Sequence, residues 1–60
     1  MTFREIEREV KADKWYFDHA NGSHYIYYHP TKKGMVVIPY HSGDLHPKTI
    51  KSIRKQAGLL

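Results

Sequence analysis

The sequence predicts an α+β fold of order α-β-β-β-α, a three-stranded antiparallel sheet with two helices packed on one face. Three observations predict it. Apolar residues recur at helical spacing near both ends, at Phe3, Ile6 and Val10 and again at Ile50, Ile53 and Ala57. Between them lie three β-prone segments rich in Trp, Tyr, Val and Ile. Two turn signals, Ala20 to Ser23 and Pro30 to Gly34, separate those segments.

The first helix opens at Thr2, which with Glu5 has the Ser/Thr-x-x-Glu spacing of a capping box. Glu7 and Lys11 form a favourable i,i+4 pair, and the helix should fade near Asp13–Lys14. The first strand begins with Trp15-Tyr16-Phe17. Asn21-Gly22 is the strongest hairpin signal in the chain. The second strand runs from His24 to His29, followed by a turn with a basic tip, Lys32-Lys33. The third strand runs from Met35 to Tyr40, with Val36, Ile38 and Tyr40 on one face. Pro39 cannot donate a ladder bond, so this strand is expected at an edge.

The last helix should start between Asp44 and Pro47, since Pro is tolerated in a first turn. Gly58 suits the position after its end, with Leu59 folding back as in a Schellman cap. Both apolar stripes are buried most simply on one face of the sheet, leaving the other face open. This is the layout of double-stranded-RNA-binding-like domains, and topology alone implies no function.

Length allows one domain, residues 1–60, with only about 60% of the unfolded surface buried. There is no cysteine, which excludes disulfides and thiolate metal sites. No signal peptide and no apolar run of about 20 residues is present, so a cytoplasmic location and no membrane contact are expected. The net charge is +4, and its distribution is uneven. Residues 1–14 carry four bases and four acids, whereas residues 15–60 carry six bases and two acids. The whole excess lies in the later part of the chain, where it suits a polyanion such as RNA.

Three features could carry chemistry. His24 follows a Gly-Ser turn at a strand start, and histidine exchanges protons near neutral pH. Lys48, Lys51 and Lys55 fall on one face of the last helix, with Arg54 beside them and no acid. Such a face suits a phosphate backbone. Tyr25, Tyr27 and Tyr28 could stack on unpaired bases if they stand on the open sheet face. Strict alternation puts His24, Ile26 and Tyr28 on one face and Tyr25, Tyr27 and His29 on the other. Apolar Ile26 prefers the core, which would draw His24 inward. The residues alone leave the face of His24 open.

Other constellations fail. The spacing of His19, His24 and His29 by five matches neither a helix face nor a strand face, so no metal is expected. There is no Walker loop, no dinucleotide fingerprint and no paired-carboxylate motif, and no cofactor is expected. Ser23 and His24 are neighbours on a strand, which makes a serine triad implausible.

The ordered set of Trp15, Gly22-Ser23-His24, Tyr27-x-His29-Pro30, the Val-Ile-Pro of the third strand and Lys48-x-Ile50-Lys51-x-Ile53-x-x-Gln56-Ala57-Gly58 resembles the HicA family. The resemblance covers residues 3–59. It implies a double-stranded-RNA-binding-like toxin of a type II toxin–antitoxin system, acting as a metal-independent, ribosome-independent mRNA interferase and held inactive by a HicB-type antitoxin. It implies that His24 is the catalytic residue and stands on an accessible surface. Two departures are visible: Lys14 stands where the family often has Gly, and His41 to Asp44 lies in a loop that varies widely.

The expected reaction is cleavage of single-stranded RNA, His24 taking the proton of a ribose 2′-hydroxyl. Ser23, Lys32, Lys33, Lys48, Lys51 and Lys55 are the candidate RNA-binding residues. Lys32, Lys33 and Lys48 are candidates to stabilise phosphoryl charge, and His29, His41 or water could protonate the leaving oxygen. The alternative is a non-catalytic RNA-binding module using the basic helix and the Tyr-rich sheet. A protein-interaction domain docking a partner on its open sheet is a third reading.

Overall fold

A computed structural model describes residues 1–60. The elements are α1 (Phe3–Ala12), β1 (Tyr16–Asn21), β2 (His24–Tyr28), β3 (Val36–Pro39) and α2 (Pro47–Gln56). The strands form one antiparallel sheet of order β1-β2-β3, so β2 is central and β3 is an edge, as Pro39 requires.

Local chemistry sets the helix ends. Thr2 and Glu5 close the capping box in both directions, with Thr2 N donating to Glu5 Oε1 at 2.8 Å and Glu5 N to Thr2 Oγ1 at 3.3 Å. α1 ends in a Schellman motif. Trp15 N donates to Val10 O at 3.2 Å and Lys14 N to Lys11 O at 2.9 Å. Lys14 thereby takes the left-handed position, at φ +77°. α2 ends the same way, with Leu59 N donating to Arg54 O and Gly58 N to Lys55 O. Here glycine occupies the left-handed position, at φ +71°. His46 caps the start of α2, its Nδ1 accepting from Lys48 N at 3.0 Å, with Pro47 next.

Both helices pack on one face of the sheet. Phe3, Ile6 and Val10 of α1 meet Ile50, Ile53 and Ala57 over Tyr27, Val36 and Ile38, with Trp15 and Leu45 closing the ends. Each fully buried aliphatic side chain contributes about 1.5–3 kcal/mol. Between the helices, Arg54 grips Glu9 with two bonds, Nε to Oε2 at 2.7 Å and one terminal nitrogen to Oε1 at 2.9 Å. No helix is long and apolar enough to cross a membrane.

Two details of the sheet depart from the sequence reading. The hairpin turn is centred on Gly22-Ser23 rather than on Asn21-Gly22, and Asn21 ends β1 directly opposite His24. Positive φ at Gly22 and not at Ser23 is the sign pattern of a type II′ turn, which needs glycine first. β1 also runs four residues beyond Phe17, with a bulge between Phe17 and His19.

Candidate active site

The register decides which sheet face each residue joins. Tyr27 pairs with Phe17 and Val36, and Tyr25 with Ala20 and Ile38, on the helix side. His24, Ile26 and Tyr28 therefore stand on the open side. The face of His24, which the residues alone left open, is the accessible one that the family resemblance implied, and the preference of Ile26 for the helix core gives way. Two tyrosines bury more apolar area than one isoleucine, and the Tyr27 hydroxyl finds a partner in Glu7 Oε2 at 2.5 Å. Tyr25 packs against Phe3 and Tyr40, with ring centroids at 5.2 Å in both pairs. Burial and the bond to Glu7 push the Tyr27 hydroxyl well above the usual phenol range. Ile26 is buried all the same, between His19 and Val37 in the register.

The correction extends to the aromatic patch. Of Tyr25, Tyr27 and Tyr28, only Tyr28 belongs to the open face. Its cross-strand partner there is Tyr16, which is exposed.

His24 is the first residue of the central strand, opposite Asn21 on one side and Pro39 on the other. It is exposed, and its ring makes no hydrogen bond within the chain. The backbone beneath it is held firmly, since Tyr40 N donates to Ser23 O at 2.7 Å. Ser23 is exposed beside it in the turn. The arrangement is a rigid strand start carrying an unencumbered imidazole, able to exchange a proton with anything laid across the open face.

The other four histidines are engaged. His29 is the most constrained. Its Nδ1 accepts from Thr31 N at 3.1 Å and Lys32 N at 3.0 Å, so the ring proton sits on Nε2 and is donated to Asp13 O at 2.6 Å. The ring lies edge-on to Trp15 and its side chain is only 6% exposed. This removes His29 as a proton donor to a substrate. His46 is the α2 cap, and His41 Nδ1 donates to Ser42 O at 2.6 Å. His19 Nδ1 lies 2.7 Å from Asp18 Oδ2.

The structure does not gather the basic residues around His24. Lys32 and Lys33 follow the far end of β2, about 13 Å along the strand at roughly 3.3 Å per residue. Lys32 is also occupied. Its Nζ donates to Asp13 Oδ2 at 2.5 Å and to Ala57 O at 3.1 Å, tying the β2–β3 loop to the ends of both helices. That bond holds the Asp13 carboxyl below the usual carboxylate range. Lys33 is exposed. Lys48, Lys51 and Lys55 are exposed and unpaired on the outer side of α2, in the helix layer across the sheet from His24. Arg54 leaves their stripe for Glu9.

Sequence reasoning missed the roles of His46 and His29. A histidine cap is uncommon, and the His29 network depends on contacts 16 residues away. Pro30 after His29 was the one local hint of a turn that returns backbone N–H groups to the ring.

No curated protein matches the chain at a significant level. Residues 3–59 match the family model described as the HicA toxin of bacterial toxin–antitoxin systems. That match spans nearly the whole chain, including the turn that presents His24 and the final helix. With 57 of 60 residues inside it, the chain belongs to the HicA toxin family.

Proposed function

We propose that this toxin is an endoribonuclease that cleaves mRNA without a metal ion or the ribosome, with His24 as its general base. The observation that carries the reading is the free imidazole of His24 at the rim of an open sheet face, in a chain of a toxin family. His24 removes the proton of a ribose 2′-hydroxyl, whose oxygen then attacks the adjacent phosphorus. One such group accelerates a reaction by about 10²- to 10⁴-fold.

RNA lies across the open face, with Tyr16 and Tyr28 available to stack on unpaired bases. Ser23 adjoins the reacting phosphate. Lys33, Lys48, Lys51 and Lys55 attract the strand at a distance from the cut. Lys32 contributes little to this, because its ammonium is spent within the fold.

The partner is a HicB-type antitoxin, which must cover His24 and compete with RNA. An acidic, aromatic-rich surface complements the exposed lysines. The site of action is the cytoplasm, where mRNA and antitoxin meet.

The test is cleavage of a defined RNA by the purified chain in the presence of a chelator. The expected products carry a 2′,3′-cyclic phosphate or its hydrolysis product, and a 2′-deoxy substitution at the cut abolishes cleavage. His24→Ala should bind the RNA and leave it intact. Binding without cleavage by the unaltered chain would favour the non-catalytic RNA-binding module.

A further inference from the structure

We propose that His19 is the second proton-transfer residue of the reaction, protonating the leaving 5′-oxygen while His24 deprotonates the 2′-hydroxyl. The proposal rests on the reading of His24 as general base.

Three observations place His19 in that role. The first is the bulge in β1. Phe17 pairs with Tyr27 on the helix side, and unbroken alternation would send His19 to the same side. The register instead slips by one residue at Asp18 and resumes with His19 opposite Ile26. The extra residue turns His19 onto the open face, the face of His24. Bulges re-aim single side chains in this way next to active sites.

The second is proximity within the register. His24 is opposite Asn21, and His19 precedes Asn21 by two positions on the same face. His19 and His24 are therefore diagonal cross-strand neighbours, with backbones about 7–8 Å apart. Two imidazoles reaching outward from such positions can stand on either side of one phosphodiester. His41, the other exposed candidate, lies in the loop beyond β3 and has no such register to hold it.

The third is the Asp18 carboxylate, 2.7 Å from His19 Nδ1. It accepts a hydrogen bond from Nδ1, which fixes the tilt of the ring and leaves Nε2 facing outward without a partner in the chain. The Tyr28 ring is a neighbour on the same face, with centroids 6.5 Å apart.

The step balances without a co-reactant. The 2′-oxygen forms a bond to phosphorus as its proton passes to His24. The bond from phosphorus to the 5′-oxygen breaks as that oxygen takes the Nε2 proton of His19. The products are a 2′,3′-cyclic phosphate and a 5′-hydroxyl. Solvent restores both rings.

The experiment compares ordinary RNA with RNA bearing a 5′-bridging sulfur at the cut, a leaving group that needs no protonation. His19→Ala should lose about 10²- to 10⁴-fold in cleavage of ordinary RNA and less than tenfold with the sulfur substrate. His24→Ala should lose heavily on both. Asp18→Asn, which keeps the shape and removes the charge, should show a smaller loss confined to ordinary RNA. Full cleavage of ordinary RNA by His19→Ala would overturn the proposal. So would equal loss on both substrates by a variant whose circular dichroism matches the unaltered chain. If the unaltered chain cuts neither substrate, the nuclease reading falls first and this one with it.

Discussion

His29 Nε2 lies 2.6 Å from the carbonyl oxygen of Asp13, joining the end of β2 to the end of α1. On the other side of the ring, two backbone N–H groups of the β2–β3 loop converge on Nδ1. One buried imidazole thus fixes a loop, a helix end and the edge of Trp15. Five residues earlier, at the start of β2, His24 makes no such bond. His29 is committed to the fold, and His24 is left free for the chemistry proposed for it.

That division is measurable by unfolding in urea. His29→Ala leaves three backbone groups without their partner and opens a gap beside Trp15, and should cost about 2–3 kcal/mol. His24→Ala removes an exposed ring and should fall within about 0.5 kcal/mol of the unaltered chain. Equal effects would mean that His24 is also structural.

Lys14 sits at φ +77°, where a side chain is strained and glycine is not. Lys14→Gly should stabilise the chain by about 1 kcal/mol, seen as a higher urea midpoint with an unchanged slope. Gly58→Ala, at φ +71° at the end of α2, should do the reverse.

Stability should fall at both pH extremes, for opposite reasons. Hydrogen bonds from Arg54, Lys32 and Thr2 hold Glu9, Asp13 and Glu5 below their ordinary values. Groups depressed on folding add stability above their unfolded values, and that stability is lost as pH falls below about 4.5. Tyr27 is raised above its ordinary value of 10.0, so the unfolded chain loses that proton first. Stability should decline as pH climbs past about 10. Thermal melts across pH should give a dome, and Tyr27→Phe should weaken its alkaline limb.

The unpaired lysines of α2 should govern affinity and leave the chemical step alone. Replacing Lys48, Lys51 and Lys55 together with Ala should weaken RNA binding and flatten its logarithmic salt dependence by about 2. Cleavage at saturating RNA should change little. An unchanged salt slope would place the RNA backbone elsewhere.

The parts of the fold governed by local rules were legible in the sequence. The Thr2–Glu5 capping box, both helical stripes and the Gly58 cap depend on residues within one or two turns of each other. Pro39 marked the edge strand for the same reason. The open-face assignment of His24 followed from the family resemblance and not from the strand pattern, because Tyr and Ile can each serve either side of a sheet. In the fold it rests on the packing of Tyr25 and Tyr27 against the helices, including the bond from Tyr27 to Glu7. The β1 bulge was invisible, since Asp18 and His19 alternate plausibly in either register. The Lys32 clip joins residues 19 and 25 positions apart, so its lysine read as a free cation at a loop tip.

Growth on induced expression tests the central claim most directly, comparing the unaltered chain with His24→Ala at equal protein levels. The account predicts arrest and 2′,3′-cyclic phosphate ends on cellular RNA with the unaltered chain, and normal growth with the variant. Arrest by both proteins would contradict it, because toxicity would then not pass through the imidazole of His24.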